Sequence, residues 1–324
     1  MKRRIISILL VLMMICSLAA CGSNSDSSTD GTAASDYEAF SLEVAGTEVT
    51  YTKVPERVIA INLECAQELV ALGLTDRIIG ITPGHFKIEE CLPEYQKELA
   101  GLKDLGANIS YETILAENPD FVYAHPWAFT AETTAAPEEY IKDGIAIYGV
   151  KGDSQDVGTF EYYYDDLRNL GKIFGVEDRA EEIIAETQKR MDEVVKNAVK
   201  DSPTVFVYDS GDKQAYTAGN SAMQSEMLRM VGAKNIFDDI DAKYEEVSWE
   251  EVAERNPQWI LINEYEDENQ LNMTKKEFLK TNPALENCDA VKNDRFISIN
   301  LLDLREGLNA INGLEATLEA LKAK

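Results

Sequence analysis

The two histidines of the sequence, His85 and His125, are its side chains best suited to binding a metal. Each follows a predicted strand in the first half of the chain. Imidazole is a good ligand for transition metals, and a carboxylate from the second half, such as Asp209 or Glu264, could complete a site. Hydrogen bonding to a larger ligand and plain structural contacts are the alternatives, and the sequence leaves all three open.

Other polar and aromatic residues also follow predicted strands. In open α/β sheets, ligands sit beyond the carboxyl ends of the strands, so these residues are candidates for binding a small molecule. Together with His85 and His125, these candidates are Asn62, Phe86, Trp127, Glu264, Tyr265 and Arg305. Tyr216, directly before Thr-Ala-Gly-Asn at 217–220, is a further candidate for contact with a ligand.

The candidates differ in the chemistry that they offer. Phe86 and Trp127 provide flat apolar surface for a macrocycle or an aromatic chelator, while Arg305 and Lys151 could neutralise an anionic one. A core position for Trp127, a packing role for Tyr216, and ordinary surface positions for the two cations are the competing interpretations.

Alternating strands and helices must position these residues. Apolar runs predict strands at 57–61, 77–82, 120–125, 146–150, 204–209, 259–263 and 295–300. Helices are predicted at 66–72, 222–231, 249–255 and 308–321. This alternation is typical of βα units around a mainly parallel sheet, and it indicates the α/β class.

An internal repeat divides the chain into two similar halves. Residues 110–122 (SYETILAENPDFV) recur as 248–260 (SWEEVAERNPQWI). In each copy a serine is a plausible N-cap, a short helix follows, and Asn-Pro ends that helix before a buried strand. The repeat therefore predicts two lobes of similar build.

A long amphipathic segment lies between the halves. Apolar residues of 178–200 recur at three- and four-residue steps, and the segment contains neither Gly nor Pro. We expect a stiff spine helix within 178–202, joining an N-terminal lobe at 50–177 to a C-terminal lobe at 203–324. The predicted fold is two Rossmann-like lobes with mainly parallel sheets, joined by one long rigid helix.

The N-terminus resembles a bacterial lipoprotein signal. A basic start and a short apolar run precede Leu-Ala-Ala-Cys, in which the cysteine is Cys21. The resemblance implies a signal peptide at 1–20 and lipid on Cys21, such as palmitate. It also implies a flexible tether through 21–49 and an outward-facing position on the cell membrane, extracytoplasmic or periplasmic. An uncleaved anchor helix is the alternative, but the apolar run is short of a membrane span.

Composition excludes several partners and sites. A net charge of −27 repels nucleic acid and anionic lipid headgroups. Three cysteines remain after Cys21, namely Cys65, Cys91 and Cys288, and their spacing fits neither a zinc site nor a disulfide framework. Buried free thiols are expected, although one bridge is conceivable.

The lobed part of the chain resembles the class III solute-binding proteins of ABC importers, which capture iron–siderophores, haem and cobalamin. The resemblance covers about residues 50–320. It is carried by VPERVIA at 54–60, ELVALGL at 68–74, SEMLRMVGAKNIF at 225–237 and the two repeat segments.

This resemblance implies a monomeric binding protein without a cofactor of its own. Ligand would sit in the interlobe cleft, and the loaded protein would dock on a permease whose ATPase drives import. The family docks through one glutamate per lobe. Glu226 matches that position in the C-terminal lobe, whereas Gln67, with Glu68 beside it, occupies the N-terminal one.

Iron–siderophore is the first expectation for the ligand, with haem, cobalamin or a bare metal ion as alternatives. An enzyme is not expected. A secreted hydrolase is the remote alternative, but the sequence has no Gly-x-Ser-x-Gly nucleophile elbow, nor a phosphate-binding Gly-x-x-x-x-Gly-Lys loop.

Overall fold

The structure, a computed structural model, describes residues 37–84, 86–154, 157–265 and 273–323, with the backbone alone for 153 and 154. The predicted signal peptide at 1–20, the lipidation site Cys21 and His85 lie outside these residues. The described residues form one compact unit. Among the described helices, none has the length and apolar character needed to cross a bilayer.

Six strands form in the first half of the chain. They are β1 (Phe40–Val44), β2 (Thr47–Tyr51), β3 (Val58–Ile61), β4 (Ile78–Thr82), β5 (Phe121–Ala124) and β6 (Ala146–Gly149). β1 and β2 make an antiparallel hairpin, and the others make a parallel sheet in the order β4-β3-β5-β6. β3 and β5 are buried along their whole length, as central strands of a sheet covered on both faces must be.

Seven helices accompany these strands and lead into the second half. They are α1 (Leu63–Ala71), α2 (Pro93–Ala100), α3 (Tyr111–Ala116), α4 (Pro137–Lys142), α5 (Lys151–Ser154), α6 (Phe160–Phe174) and α7 (Glu177–Lys196). Short 3-10 turns lie at Thr75–Arg77, Ile88–Glu90, Pro126–Ala128, Pro283–Leu285 and Leu301–Leu304.

The second half contains a mixed sheet. Its strands are β7 (Thr204–Ser210), β8 (Ala215–Ala218), β9 (Lys234–Asn235), β10 (Tyr244–Val247), β11 (Trp259–Glu264) and β12 (Phe296–Asn300). The order is β10-β8-β7-β11-β12, with β9 also pairing with β7. β7, β9, β11 and β12 pair in parallel, whereas β8 pairs antiparallel with β7 on one side and with the edge strand β10 on the other.

Five further helices complete this half. They are α8 (Met223–Met230), α9 (Trp249–Arg255), α10 (Lys275–Thr281), α11 (Asp289–Lys292) and α12 (Ala310–Lys322). The predicted α/β class with two mainly parallel sheets is therefore confirmed, and each predicted strand forms within one or two residues of its expected bounds.

The internal repeat folds alike in both halves. The Ser110 hydroxyl accepts a hydrogen bond from the Thr113 amide at 3.2 Å, capping α3, and the Ser248 hydroxyl accepts from the Glu251 amide at 3.1 Å, capping α9. Asn118 and Asn256 follow these helices with φ of 49° and 42°, a conformation that asparagine tolerates. The two copies then enter β5 and β11 respectively.

The hairpin β1–β2 corrects the predicted extent of the tether. We expected a flexible tether through residue 49, yet residues 40–44 and 47–51 pair as strands. Val44, Val49 and Tyr51 are buried in the N-terminal core. Alternation of these apolar residues with polar ones is what a half-buried hairpin requires, and the Ser/Thr-rich surroundings obscured it.

Helix α7 lies where the spine was predicted. Its 20 residues, at 1.5 Å each, give a rod about 30 Å long. Near its start, Arg179 Nε donates to the Ala71 carbonyl at the end of α1, 3.0 Å away. Further along, Arg190 makes a bidentate pair with Glu315 of α12 at 2.9 and 2.7 Å. The rod is thereby attached to a helix of each lobe.

One apolar core runs through both lobes. Buried residues of the N-terminal sheet, of α7 and of α12 belong to the same contiguous cluster, which also includes Val205 and Val207 of β7. A second cluster lies in the C-terminal lobe and includes Phe206, Trp249 and Ile262. Because the first core is shared, moving the lobes apart would expose apolar surface.

The cysteines behave as expected. Cys65, Cys91 and Cys288 are buried, and no disulfide joins them within the described part of the chain. Burial raises the pKa of Cys91 to about 12. They therefore act as small core side chains.

Candidate functional site

The carboxyl ends of β3 and β5 place two of the predicted residues at the same edge of the N-terminal sheet. Asn62 follows β3 and His125 follows the adjacent β5. Asn62 has a φ of 84°, and its amide donates to the Thr82 hydroxyl at 3.1 Å. Gly84 leaves the space that the Asn62 side chain needs, because a Cβ at position 84 would lie 2.8 Å from its Oδ1.

His125 is paired with a buried glutamate. Its Nε2 lies 2.9 Å from Oε1 of Glu64, which belongs to the first turn of α1. Burial alone would raise the pKa of Glu64. The hydrogen bond from His125, together with the charges of His125 and Arg305, outweighs burial and holds that pKa below its usual range. Glu64 therefore remains an anion inside the protein.

Arg305 reaches this carboxylate from the opposite lobe. Its Nη1 lies 3.5 Å from Glu64 Oε1. The other oxygen, Oε2, is buried and has no hydrogen-bond partner among the described residues. The structure thus brings His125 and Arg305, which are 180 residues apart in the sequence, to one carboxylate between the lobes.

Further hydrogen bonds cross between the lobes beside this group. We call the whole set the interlobe seam; its N-terminal members are Glu64, Gln67, Glu90 and Gly152, and its C-terminal members are Lys243, Asn300, Arg305 and Asn309. Gln67 Nε2 donates to Asn309 Oδ1 at 2.6 Å, and Asn300 Nδ2 donates to Glu90 Oε1 at 2.6 Å. Lys243 Nζ donates to the Gly152 carbonyl at 2.8 Å. The seam is therefore held by polar contacts on top of the shared core.

A concave region of the C-terminal lobe opens next to Arg305. We call it the C-lobe cavity; it has a volume of about 270 Å³ and is lined chiefly by Asp209, Tyr216, Lys243, Tyr244, Arg305 and Glu306. Tyr216 is 39% exposed and stacks on Tyr244 with centroids 5.4 Å apart and planes 18° apart. This predicted cleft-edge residue therefore presents an aromatic face.

Polar residues at the ends of β7 and β11 support the cavity wall. Asp209 accepts hydrogen bonds from Asn263 Nδ2 and from the Tyr265 hydroxyl, both at 2.8 Å. Lys275 Nζ donates to the Asp209 and Asn263 carbonyls at 2.6 Å each, and lies 3.6 Å from the Tyr265 ring centroid. Tyr265 thus positions Asp209, whereas Glu264 is a half-buried neighbour outside the cavity lining.

The two predicted aromatic platforms of the N-terminal lobe differ in exposure. Trp127 is 48% exposed, and its ring is nearly parallel to that of His125, with an interplanar angle of 9° and centroids 6.4 Å apart. Phe86, in contrast, is buried within the apolar core. Only Trp127 offers its surface in this structure, since the Phe86 side chain is needed for packing.

The predicted metal site gains no support from the described residues. No group of three or more histidine, cysteine, aspartate or glutamate side chains suited to a metal occurs among them, and the His125 Nε2 atom faces Glu64. Lys151, expected to neutralise an anionic ligand, pairs instead with the Asp165 carboxylate.

The three predicted docking residues differ in accessibility. Gln67 and Glu68 are buried, so neither offers a surface contact in this structure. Burial raises the pKa of Glu68 to about 8, against the opposing effect of the hydrogen bond from the Tyr123 hydroxyl. Glu226 is half-buried and pairs with Arg229 at 3.0 Å.

The strand-end rule covered Glu64, but sequence reasoning did not identify it as the residue that contacts both lobes. Glu64 lies two positions after Asn62, so the strand-end rule reached its segment, but nothing in the sequence distinguished it from the other acidic residues. Tyr244 and Lys243 were missed because β10 was not predicted. The neighbouring pattern Tyr-Glu-Glu-Val at 244–247, with apolar ends and two acidic residues between them, gave only a weak strand signal.

Comparison with known proteins finds a matching protein family and similar individual proteins. The family model for periplasmic binding proteins matches residues 58–300, which is most of the described chain. The substrate-binding lipoprotein YvrC of an ABC transporter in Bacillus subtilis is 25% identical over 321 residues, covering 96% of this chain and 95% of YvrC.

Two solved structures share the fold. A periplasmic binding protein from Veillonella parvula superposes with a TM-score of 0.77 at 27% identity, covering 88% of this chain and 98% of its own. An ABC-type Fe³⁺-hydroxamate transport system protein from Saccharomonospora viridis gives a TM-score of 0.74 at 25% identity, covering 88% and 99%.

Proposed function

The chain belongs to the periplasmic binding protein family, and we propose that it captures an iron–siderophore-type metal chelate between its lobes and delivers it to an ABC permease. Its relatives are substrate-binding proteins of ABC importers of the siderophore, haem and vitamin B12 class, and not enzymes. The chain is accordingly a solute-binding protein of that class. The identity of the chelate is the part that we propose.

The observation that carries this proposal is the meeting of both lobes at the Glu64 carboxylate. Arg305 lines the C-lobe cavity and also contacts Glu64. Glu64 contacts His125, whose ring stacks on the exposed Trp127. A continuous set of polar and aromatic groups therefore leads from Tyr216 in one lobe to Trp127 in the other, as a site for a bulky chelate between lobes requires.

Native mass spectrometry of the protein purified from its own host tests the proposal most directly. We expect a bound mass that matches a metal chelate and that disappears on denaturation. Titration of the stripped protein with ferric hydroxamates, followed by the fluorescence of the exposed Trp127, should then give saturable quenching. A bound amino acid, sugar or peptide would contradict the proposal.

Haem and cobalamin are the alternatives within the class, because Trp127 and Tyr216 offer aromatic faces to a flat macrocycle. Titration with haem separates them: a Soret shift would indicate axial ligation by a protein side chain. Saturable binding of cyanocobalamin would favour the corrinoid instead. A bare metal ion is least supported, since no suitable ligand group occurs among the described residues.

We also propose that the protein is a monomer attached to the outer side of the cell membrane through lipid on Cys21. The basis is the signal-like N-terminus together with the lipoprotein relative YvrC. A Cys21→Ser variant should be released into the medium or periplasm, and should no longer incorporate labelled palmitate. Retention of this variant in the membrane would contradict lipid anchoring.

For docking on the permease, each lobe needs an exposed carboxylate. The repeat supplies a matched pair, because Glu112 and Glu250 occupy the same position in the first turns of α3 and α9, and both are exposed. We propose that these two residues contact the two halves of the permease. Glu226 remains a candidate for the C-terminal lobe, with its pairing to Arg229 as a competing interaction.

A further inference from the structure

We infer that the interlobe site selects an uncharged or cationic chelate and discriminates against an anionic one. This inference rests on the proposed function and narrows its ligand class. It is carried by the charge balance of the C-lobe cavity and the seam, where every cation of the wall already contacts a carboxylate or a carbonyl of the protein.

The cations that line the cavity are internally compensated. Lys243 Nζ lies 3.6 Å from Glu306 Oε1 and also donates to the Gly152 carbonyl. Arg305 faces the buried anion of Glu64. An anionic ligand would have to compete with these carboxylates for the same cations, and would leave buried carboxylates without their counter-charges.

The wall also carries a second carboxylate, Asp209, among aromatic and apolar residues. The Asp209 carboxylate accepts hydrogen bonds from three neutral donors, Ser210, Asn263 and Tyr265. The nearby cation Lys275 is buried behind it, where its ammonium group binds carbonyl oxygens. Asp209 therefore presents negative charge to the cavity.

Acidic residues also surround the exposed ring of Tyr216. Burial is the largest cause of the raised pKa of Tyr216, and the other causes are the negative charges of Asp209, Glu245 and Glu246. Glu246 lies directly opposite Tyr216 in the β8–β10 ladder. An aromatic face in a negative field attracts cations and tolerates neutral surfaces, but repels anions.

Calorimetric titration with three ferric complexes of different charge tests the inference. The probes are ferrioxamine B, a trihydroxamate complex with a pendant ammonium; ferrichrome, an uncharged trihydroxamate complex; and ferric enterobactin, a trianionic catecholate complex. We expect both hydroxamates to bind at least about tenfold more tightly than the trianion at low salt. Added salt should narrow that gap by screening repulsion.

Two matched variants separate the cavity from the overall charge of the protein. Asp209→Asn should reduce the discrimination against the trianion roughly tenfold, whereas Asp178→Asn, which removes the same charge from the exposed start of α7, should not change it. If Asp209→Asn fails to fold, Glu246→Gln on the exposed edge strand takes its place. Equal responses of the cavity and control variants would overturn the inference.

The outcomes distinguish the two proposals. Tight binding of ferric enterobactin, equal to or better than that of the hydroxamates, overturns the charge selectivity and leaves the chelate-binding function standing. Failure of all three chelates to bind overturns the proposed function, and the inference falls with it.

Discussion

Glu64 Oε1 lies 2.9 Å from His125 Nε2 in its own lobe and 3.5 Å from Arg305 Nη1 in the other. This carboxylate is therefore a shared acceptor between the lobes. Because it is buried, its charge has to be balanced by these neighbours rather than by water. Under the proposed function, Glu64 contributes both to stability and to the ligand site.

Replacing Glu64 with glutamine should destabilise the protein. The variant loses the negative charge that balances Arg305, and a largely buried charge without its partner costs about 2–4 kcal/mol. Urea denaturation, followed by circular dichroism, measures the change in the free energy of unfolding. The matched control is Glu139→Gln, which removes a carboxylate from the exposed pair Glu139–Lys142 and should cost about 0–1 kcal/mol. Equal losses of stability in the two variants would show that the interlobe contact contributes no more to stability than the exposed pair does.

Glu68 should make stability fall as pH rises. Its pKa is raised from 4.5 to about 8 in the folded protein, so the folded state binds a proton that the unfolded state releases between these values. The stabilisation is complete below the unfolded pKa and is lost as pH rises through the folded one. As pH rises from about 5 to about 9, the free energy of unfolding of Glu68→Gln should therefore rise by about 1 kcal/mol or more relative to that of wild type. Parallel pH profiles of the two proteins would contradict the raised pKa.

Gly84 should not tolerate a side chain. Its φ is 63°, and a Cβ would come within 2.8 Å of Asn62 Oδ1. Gly84→Ala should cost about 1–3 kcal/mol and move Asn62 away from the sheet edge. Gly175→Ala is the matched control, since its φ is 66° but its Cβ would meet nothing within 4 Å. Thermal unfolding measures the loss of stability in each variant, and the larger loss at position 84 reports the clash with Asn62. Identical losses in the two variants would show that this clash does not occur.

Trp127 should affect binding far more than stability. Its side chain is half exposed and stacks on His125. The free energy of unfolding of Trp127→Ala should therefore lie within about 1 kcal/mol of the wild-type value. The variant should nevertheless bind its chelate roughly tenfold more weakly. Calorimetry with the ligand recovered from the host measures the affinity. Val195→Ala, at a 50% exposed position on α7, should leave both properties unchanged. An unaltered affinity in Trp127→Ala would remove this residue from the site.

The docking pair should act on transport and not on ligand binding. Glu112→Ala combined with Glu250→Ala should lower the ligand-dependent ATPase activity of the reconstituted permease several-fold, because one ionic contact is lost on each half. The ligand affinity of the isolated protein should stay the same. Glu254→Ala, on the same helix as Glu250, is the control. A stronger effect of Glu226→Ala than of the double variant would assign docking to α8 instead.

Local signals made most of the fold predictable. Strands such as β3 and β5 are uninterrupted apolar runs. Ser110 and Ser248 predict the starts of α3 and α9, because N-capping depends only on residues that are close in the sequence. The start of α1 was predicted three residues too late because Glu64 looks like a solvent-facing residue. The hairpin β1–β2 was missed because its polar face resembles a linker.

The sequence predicted where several candidate residues lie in the fold but not which contacts they make. The strand-end rule found Asn62, His125 and Arg305, since it depends on topology alone. The pairing of Arg305 with Glu64 depends on how the lobes pack, which no local pattern encodes. For the same reason, the burial of Gln67 and Phe86 could not be anticipated from their helix or loop positions.

The attachment of α7 to a helix of each lobe has a consequence for signalling to the membrane. Because the two lobes share an apolar core and α7 contacts a helix of each, we expect only small movements between the lobes when a ligand binds. We therefore expect the permease to distinguish loaded from empty protein through the ligand and the side chains around it. Empty and loaded receptors should therefore compete for the same transporter, and the ratio of the two becomes a quantity that sets the rate of uptake.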